Sequence, residues 1–161
     1  MLKFIYAVFI GVLFATLVGV GIAAFYPQPK APEYPNASAT FEKPVTEQTE
    51  AERAKFARQQ AQYDKVFKDY QAKEQEYNRN VSIISLVAAV LALVVSLTLF
   101  KAIFIIADGL LFGGLLTLLY SIIRGFAVED NIFRFIVVAI GFVIAITLGY
   151  IKFAPQEKKK K

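Results

Sequence analysis

The sequence predicts an all-α membrane protein with four transmembrane helices and, between the first and second, an extracytoplasmic stalk built from a proline arm and a long helix. Three observations lead there. Four apolar stretches each supply about the 20 residues that a spanning helix needs. Hydrophobic residues make up 57% of the 161, well above the usual share in a soluble domain. One polar insertion, residues 27–80, separates the first stretch from the rest, and its nine basic and nine acidic side chains cancel.

Residues 2–26 form the first span. Met1-Leu2-Lys3 is a short positive start, and Ala23-Ala24 places small residues near the far end. The apolar run nevertheless exceeds the roughly 7–15 residues of a cleavable signal core, so an uncleaved signal anchor is expected. Ala7, Gly11, Ala15, Gly19 and Ala23 recur every fourth position along one face. In lipid, apolar side chains gain little by meeting one another, and close backbone approach at small residues drives helix association. The seam is expected to pack within the chain, with dimerisation as the alternative.

The insertion changes character midway. Residues 27–45 are a proline-rich extended arm, with Pro27, Pro29, Pro32, Pro35 and Pro44 and no apolar period for helix or strand. Residues 46–80 lack glycine and are rich in Ala, Gln, Glu, Lys and Arg, which predicts an amphipathic helix continuing into the second span. Thr49 and Glu52 have the spacing of a capping box, and Glu47 and Glu50 favour the positive helix start. Asp64/Lys68 and Asp69/Lys73 are acid-first pairs one turn apart. Asn78-Arg79-Asn80 is the place where a bend is expected, if there is one.

Phe56, Tyr63, Tyr70 and Tyr77 are seven apart on this helix, with Val66 and Phe67 beside them. A coiled coil needs two apolar positions per heptad, and here the second seam holds Gln59, Gln60 and Lys73. Something else should cover the stripe. Pro29, Pro32 and Pro35 are three apart, so they share one edge of a polyproline helix. The Pro29-x-x-Pro32-x-Tyr34-Pro35 spacing resembles the extended arm of the pancreatic-polypeptide hormone fold. That resemblance covers about 50 residues and implies a hairpin geometry, with prolines between aromatics of a returning helix, and nothing about hormone activity. The expectation is an antiparallel hairpin with Pro29, Pro32, Tyr34 and Pro35 on Tyr63, Val66, Phe67, Tyr70 and Tyr77. The alternative reserves the stripe, Phe56 included, for a partner or second protomer, with the arm a linker. Asn36-Ala37-Ser38 is a glycosylation acceptor only in a secretory compartment.

Three further spans follow at residues 81–100, 102–123 and 132–153. Their small residues also recur every fourth position: Ala88, Ala92 and Ser96; Gly109, Gly113, Thr117 and Ser121; Gly141, Ala145 and Gly149. The second-to-third connection has two readings. A turn at Asp108-Gly109 makes Asp108 a helix cap. A turn near Lys101 puts Asp108 about two turns deep, where a carboxylate is a candidate ion or proton site. An architectural role is favoured, because a conduit usually carries more than one such group and the other spans offer only Ser and Thr. In the 124–131 loop, Arg124-Gly125 has the form of a helix end with glycine just past it. Asp130 or Asn131 can cap the last helix, and Arg134 can snorkel outward or pair with Glu129 or Asp130.

The net charge of +5 gathers at the ends, in Lys152 and in Lys158, Lys159, Lys160 and Lys161 of the 154–161 tail. Such a cluster past a span is a topology signal and a contact for anionic lipid headgroups. Lys158 and Lys159 also match a dilysine retrieval signal. No nucleic-acid motif accompanies the charge. The chain has no cysteine and no histidine, which removes thiol nucleophiles, disulfides and nearly all transition-metal sites. Catalytic triads, phosphate loops and paired carboxylates are absent as motifs, so neither an enzyme nor a cofactor is expected. Lysine placement puts both termini in the cytoplasm and the stalk outside, in a multi-pass protein of the cell membrane. The function expected is structural: an anchor or accessory subunit presenting the stalk to a protein partner or to a second copy. The alternative is a small transporter or ion-pathway component using Asp108.

Overall fold

The computed structural model describes residues 1–33, 49–99 and 103–153, and all regular structure among them is α-helical. Helix α1 covers Leu2–Phe25, α2 Glu50–Leu99, α3 Phe104–Phe126 and α4 Asn131–Phe153. All four are long and apolar enough to cross a membrane. The 23 residues of α3, and the 23 of α4, reach about 35 Å at 1.5 Å each, enough for a hydrocarbon core. The chain divides into two units, residues 28–77 and a helical bundle made of residues 1–27 with 78–161.

Helix ends follow local chemistry. Before α2, the Thr49 backbone amide donates to Glu52 Oε2 at 2.9 Å and the Glu52 amide donates to Thr49 Oγ1 at 3.4 Å. This reciprocal box, with Glu50 and Glu52 in the first turn, satisfies donors that a helix start leaves open. At α4, Asp130 Oδ1 accepts from the amides of Ile132 (2.8 Å) and Phe133 (3.3 Å). The α2–α3 turn lies between Leu99 and Phe104, and Ile103 is the N-cap of α3. Asp108 therefore sits inside the second turn of α3 and caps nothing.

Helix α3 also ends later than its sequence suggests. It runs through Arg124-Gly125 to Phe126, and Ala127 closes it in a right-handed conformation. Gly125 is not a left-handed cap. Its missing side chain is used in packing instead: a Cβ there would lie 3.2 Å from Ser82 Oγ and 3.4 Å from Val137 Cγ1. The connection to α4 shrinks accordingly to residues 127–130.

Within the bundle, α3 packs against three neighbours, and each contact is built on glycine. Towards α1, Gly109 and Gly113 meet Ala7 and Gly11. A Cβ on Gly113 would stand 2.9 Å from the Gly11 carbonyl oxygen and 3.1 Å from its Cα. A Cβ on Gly109 would stand 2.8 Å from Ile10 Cβ. Towards α2, Gly114 accommodates Leu93, whose Cδ2 would be 2.7 Å from an added Cβ. Towards α4, Leu118 and Ile122 pack over Gly141. Residue numbers rise together along the α1–α3 contact and in opposition along α2–α3 and α3–α4. Alternating spans demand that arrangement, and it brings Lys3, Ile103 and Lys152 to one end of the bundle.

The period-four seams are used selectively. Ala7 and Gly11 are buried, whereas nothing lies within 4 Å of a Cβ placed on Gly19, and Ala23 is exposed. In α4 Gly141 is packed, Ala145 is exposed and Gly149 meets nothing within 4 Å. Replacing Gly113 by valine should therefore destabilise the bundle by about 1–3 kcal/mol, because the opposing atoms are backbone and cannot yield. Gly149→Ala should be neutral or slightly stabilising. Denaturant titration of the full chain in mild detergent, followed by circular dichroism, measures both.

Candidate functional site

Polar side chains within the bundle fall into three layers. The middle layer is made of serine and threonine. Ser82, Ser85, Ser96, Thr117 and Ser121 are essentially inaccessible, at 0–1% exposure. Ser82 Oγ donates to the Ser121 carbonyl at 2.9 Å, and Ser121 Oγ donates to the Ser82 carbonyl at 2.7 Å. Near the other end of the same helix pair, Ser96 Oγ donates to the Ala107 carbonyl at 2.6 Å. Ser85 and Thr117 bond back to carbonyls of their own helices, those of Val81 and Gly113, at 2.7 and 2.8 Å. Among the described residues no buried side-chain polar atom lacks a partner. All five donate to backbone carbonyls, and those of Ser82, Ser96 and Ser121 join α2 to α3.

A second layer closes the end near residues 124–134. Arg124 Nη1 donates to Asn78 Oδ1 at 2.9 Å and Nε to the Tyr120 hydroxyl at 3.1 Å, with the guanidinium carbon 5.5 Å from the Tyr120 ring centre. Asn80 Nδ2 donates to the Tyr26 hydroxyl at 2.8 Å, tying the end of α1 to α2. Arg134 does not pair with Glu129 or Asp130. Its Nε donates to the Val128 carbonyl and its Nη1 to Asn131 Oδ1, because Asp130 is engaged in capping α4. Arg124, which the sequence places in the 124–131 loop, is thus a part-buried helix-to-helix connector.

The third layer contains Asp108. Lys152 Nζ lies 2.7 Å from Asp108 Oδ1, joining the second turn of α3 to the last turn of α4. The Lys152 side chain is 23% exposed and that of Asp108 28%, so the pair is at the bundle's edge and not in its interior. Both line an open pocket of about 460 Å³ together with Lys3 and the apolar side chains of Phe4, Phe104 and Phe112. A carboxylate, two ammonium groups and an apolar wall meet here.

The other candidate surface belongs to the unit of residues 28–77. Tyr63 and Phe67 stack with ring centres 5.7 Å apart, and Phe67 and Tyr70 are 6.2 Å apart. Phe56, Val66 and Phe67 remain 38%, 53% and 37% exposed; Tyr63 and Tyr70 are half-buried and Tyr77 is buried. Desolvation first, then the charge and hydrogen bond of Glu74 one turn on, push the Tyr70 hydroxyl above its ordinary pKa. Pro29 and Pro32 are half-buried. Tyr34, Pro35 and the tail lysines Lys158, Lys159, Lys160 and Lys161 lie outside the described residues.

Comparisons with family models, curated proteins and solved structures find no match to this chain.

The Asp108–Lys152 pair should behave as a partly screened ion pair. Asp108→Asn, which keeps an acceptor, should cost less than about 1 kcal/mol. Lys152→Glu, which sets two carboxylates face to face, should cost more, and the exchanged pair Asp108→Lys with Lys152→Asp should recover part of the loss. Thermal unfolding in detergent micelles at low and high salt reads all three, with the differences narrowing as salt rises.

Proposed function

We propose that the chain is a non-enzymatic structural or interaction protein of the cell membrane, an anchor or accessory subunit. In this reading both termini are cytoplasmic, and residues 27–80 form an extracytoplasmic stalk offered to a protein partner or a second copy. The observation that carries it is the exposed apolar face at Phe56, Val66 and Phe67 on an otherwise charged helix. The rings of Tyr63 and Tyr70 packed against Phe67 extend it into an apolar stripe rimmed by charge, and such surface marks interaction sites. The saturated hydroxyls of the bundle support the same reading, since they offer no side chain to a substrate. Lysine placement supports the orientation: Lys3 and Lys152 share the end of the bundle that the positive-inside tendency assigns to the cytoplasm. A photoreactive phenylalanine analogue at Phe67 should form a discrete protein adduct in native membranes, absent when it is placed at Leu91 on the lipid-facing side. Lipid adducts alone at both positions would overturn the reading. An impermeant thiol reagent should label Gln71→Cys in intact cells and miss Gln156→Cys.

A second reading, a small ion or proton pathway, is favoured by one observation: Asp108 lies inside a spanning helix and lines an open pocket. Vesicles reconstituted with the full chain separate the two. The anchor reading expects no flux that depends on Asp108. A proton or cation flux abolished by Asp108→Asn establishes the pathway instead.

A further inference from the structure

We propose that the pocket beside Asp108 binds one anionic glycerophospholipid, its phosphate between Lys3 and Lys152 and its glycerol and first acyl carbons against Phe4, Phe104 and Phe112. The pocket lies where the first turns of α1 and α3 meet the last turn of α4, at the edge of the spanning segments. Its ionic lining is Lys3, Lys152 and Asp108, two positive charges against one negative, so it holds a net charge of +1. Asp108 holds the Lys152 ammonium into the site at 2.7 Å and tempers its charge. Lys3 meets no carboxylate among the described residues.

The wall decides between a lipid and a free anion. Phe4 is 74% exposed and Phe104 55%. A water-soluble phosphate uses the lysines and leaves these rings as they were. A phospholipid uses both, placing its charge at the ammonium groups and its chain along the aromatic face, as the bilayer already orients it. A zwitterionic headgroup brings its own cation to a site that is already positive, so the net charge selects lipids such as phosphatidylglycerol over phosphatidylcholine. This site is distinct from the tail lysines, which any anionic surface attracts without a cavity.

Native mass spectrometry of the full chain, released from mixed micelles of phosphatidylglycerol and phosphatidylcholine, tests the site. Wild-type protein should retain one phosphatidylglycerol in preference to phosphatidylcholine. Lys3→Gln, a change at an exposed position, should weaken that retention about fivefold, the effect of one lysine near a lipid surface. Asp108→Asn should strengthen it, because the negative charge at the site is gone. Replacing Lys158–Lys161 with glutamine should leave the single retained lipid in place. Equal retention of both lipids, no response to Lys3→Gln, or weakening by Asp108→Asn overturns the proposal. Loss of the lipid with the tail lysines assigns the binding to the tail and overturns it too. Displacement of the lipid by millimolar inorganic phosphate makes the pocket a free-anion site and overturns the lipid assignment.

Discussion

Close approach of α1 and α3 at Gly11, Gly109 and Gly113 is the constraint on which the bundle rests. In a bilayer the hydrophobic effect does not distinguish a neighbouring helix from a lipid tail, so association must come from dispersion contacts and hydrogen bonds at short range. Only glycine permits backbone atoms to come this near. With α1 held on one side of α3, its remaining small positions face the other two helices: Ala107, Gly114 and Ser121 towards α2, and Gly125 towards both α2 and α4. A helix with small residues on several sides becomes the centre of a four-helix arrangement with few large side chains fully enclosed. Among the described residues, the largest fully buried side chains are no bigger than valine.

Such tight packing makes hydroxyls useful. A serine at a close crossing reaches a carbonyl of the facing helix, which is what Ser82, Ser96 and Ser121 do. Each bond is worth about 0.6 kcal/mol on average in a membrane, a small sum beside the dispersion energy. Its larger effect is on register, because the reciprocal Ser82–Ser121 pair fits only one axial alignment of α2 on α3. The ionic groups are consequently displaced to the two ends: Arg124 with Asn78 and Tyr120 at one, Lys152 with Asp108 at the other. A charge is tolerable at those depths because water or headgroups reach part of it.

The existence of four spans and the importance of every-fourth small residues could be read from composition and period alone, since both are local properties of the chain. Which half of each seam is used could not. Ala7 and Gly11 pack while Gly19 and Ala23 do not, and that depends on where α3 crosses α1. Asp108 was ambiguous for a related reason. A turn signal at Asp108-Gly109 competes with a glycine needed inside a helix, and the facing Ile10 lies about a hundred residues away in sequence. Its partner Lys152 is 44 residues on, brought near only by the antiparallel return of α4. Arg124 misled for want of Asn78, 46 residues earlier. The capping signals at Thr49, Glu52 and Asp130 were legible because a cap is settled within four residues.

A contrast remains between the two units that bears on what kind of function each can have. Inside the bundle every buried side-chain polar atom among the described residues has a partner, and the one carboxylate in its described spans is tied to an ammonium at the edge. In residues 50–77 the balance reverses. Tyr63, Phe67 and Tyr70 lean on one another along a single helix, an arrangement that shelters part of each ring but leaves Phe56, Val66 and Phe67 facing outward. Apolar area left in water at roughly 25 cal/mol per Å² is free energy that another surface can recover. The sites that remain to be filled are therefore at the margins: the aromatic face of the polar helix and the lysine-rimmed pocket at the bundle's end. In the reading proposed above both serve recognition, the aromatic face meeting a protein surface and the pocket a lipid.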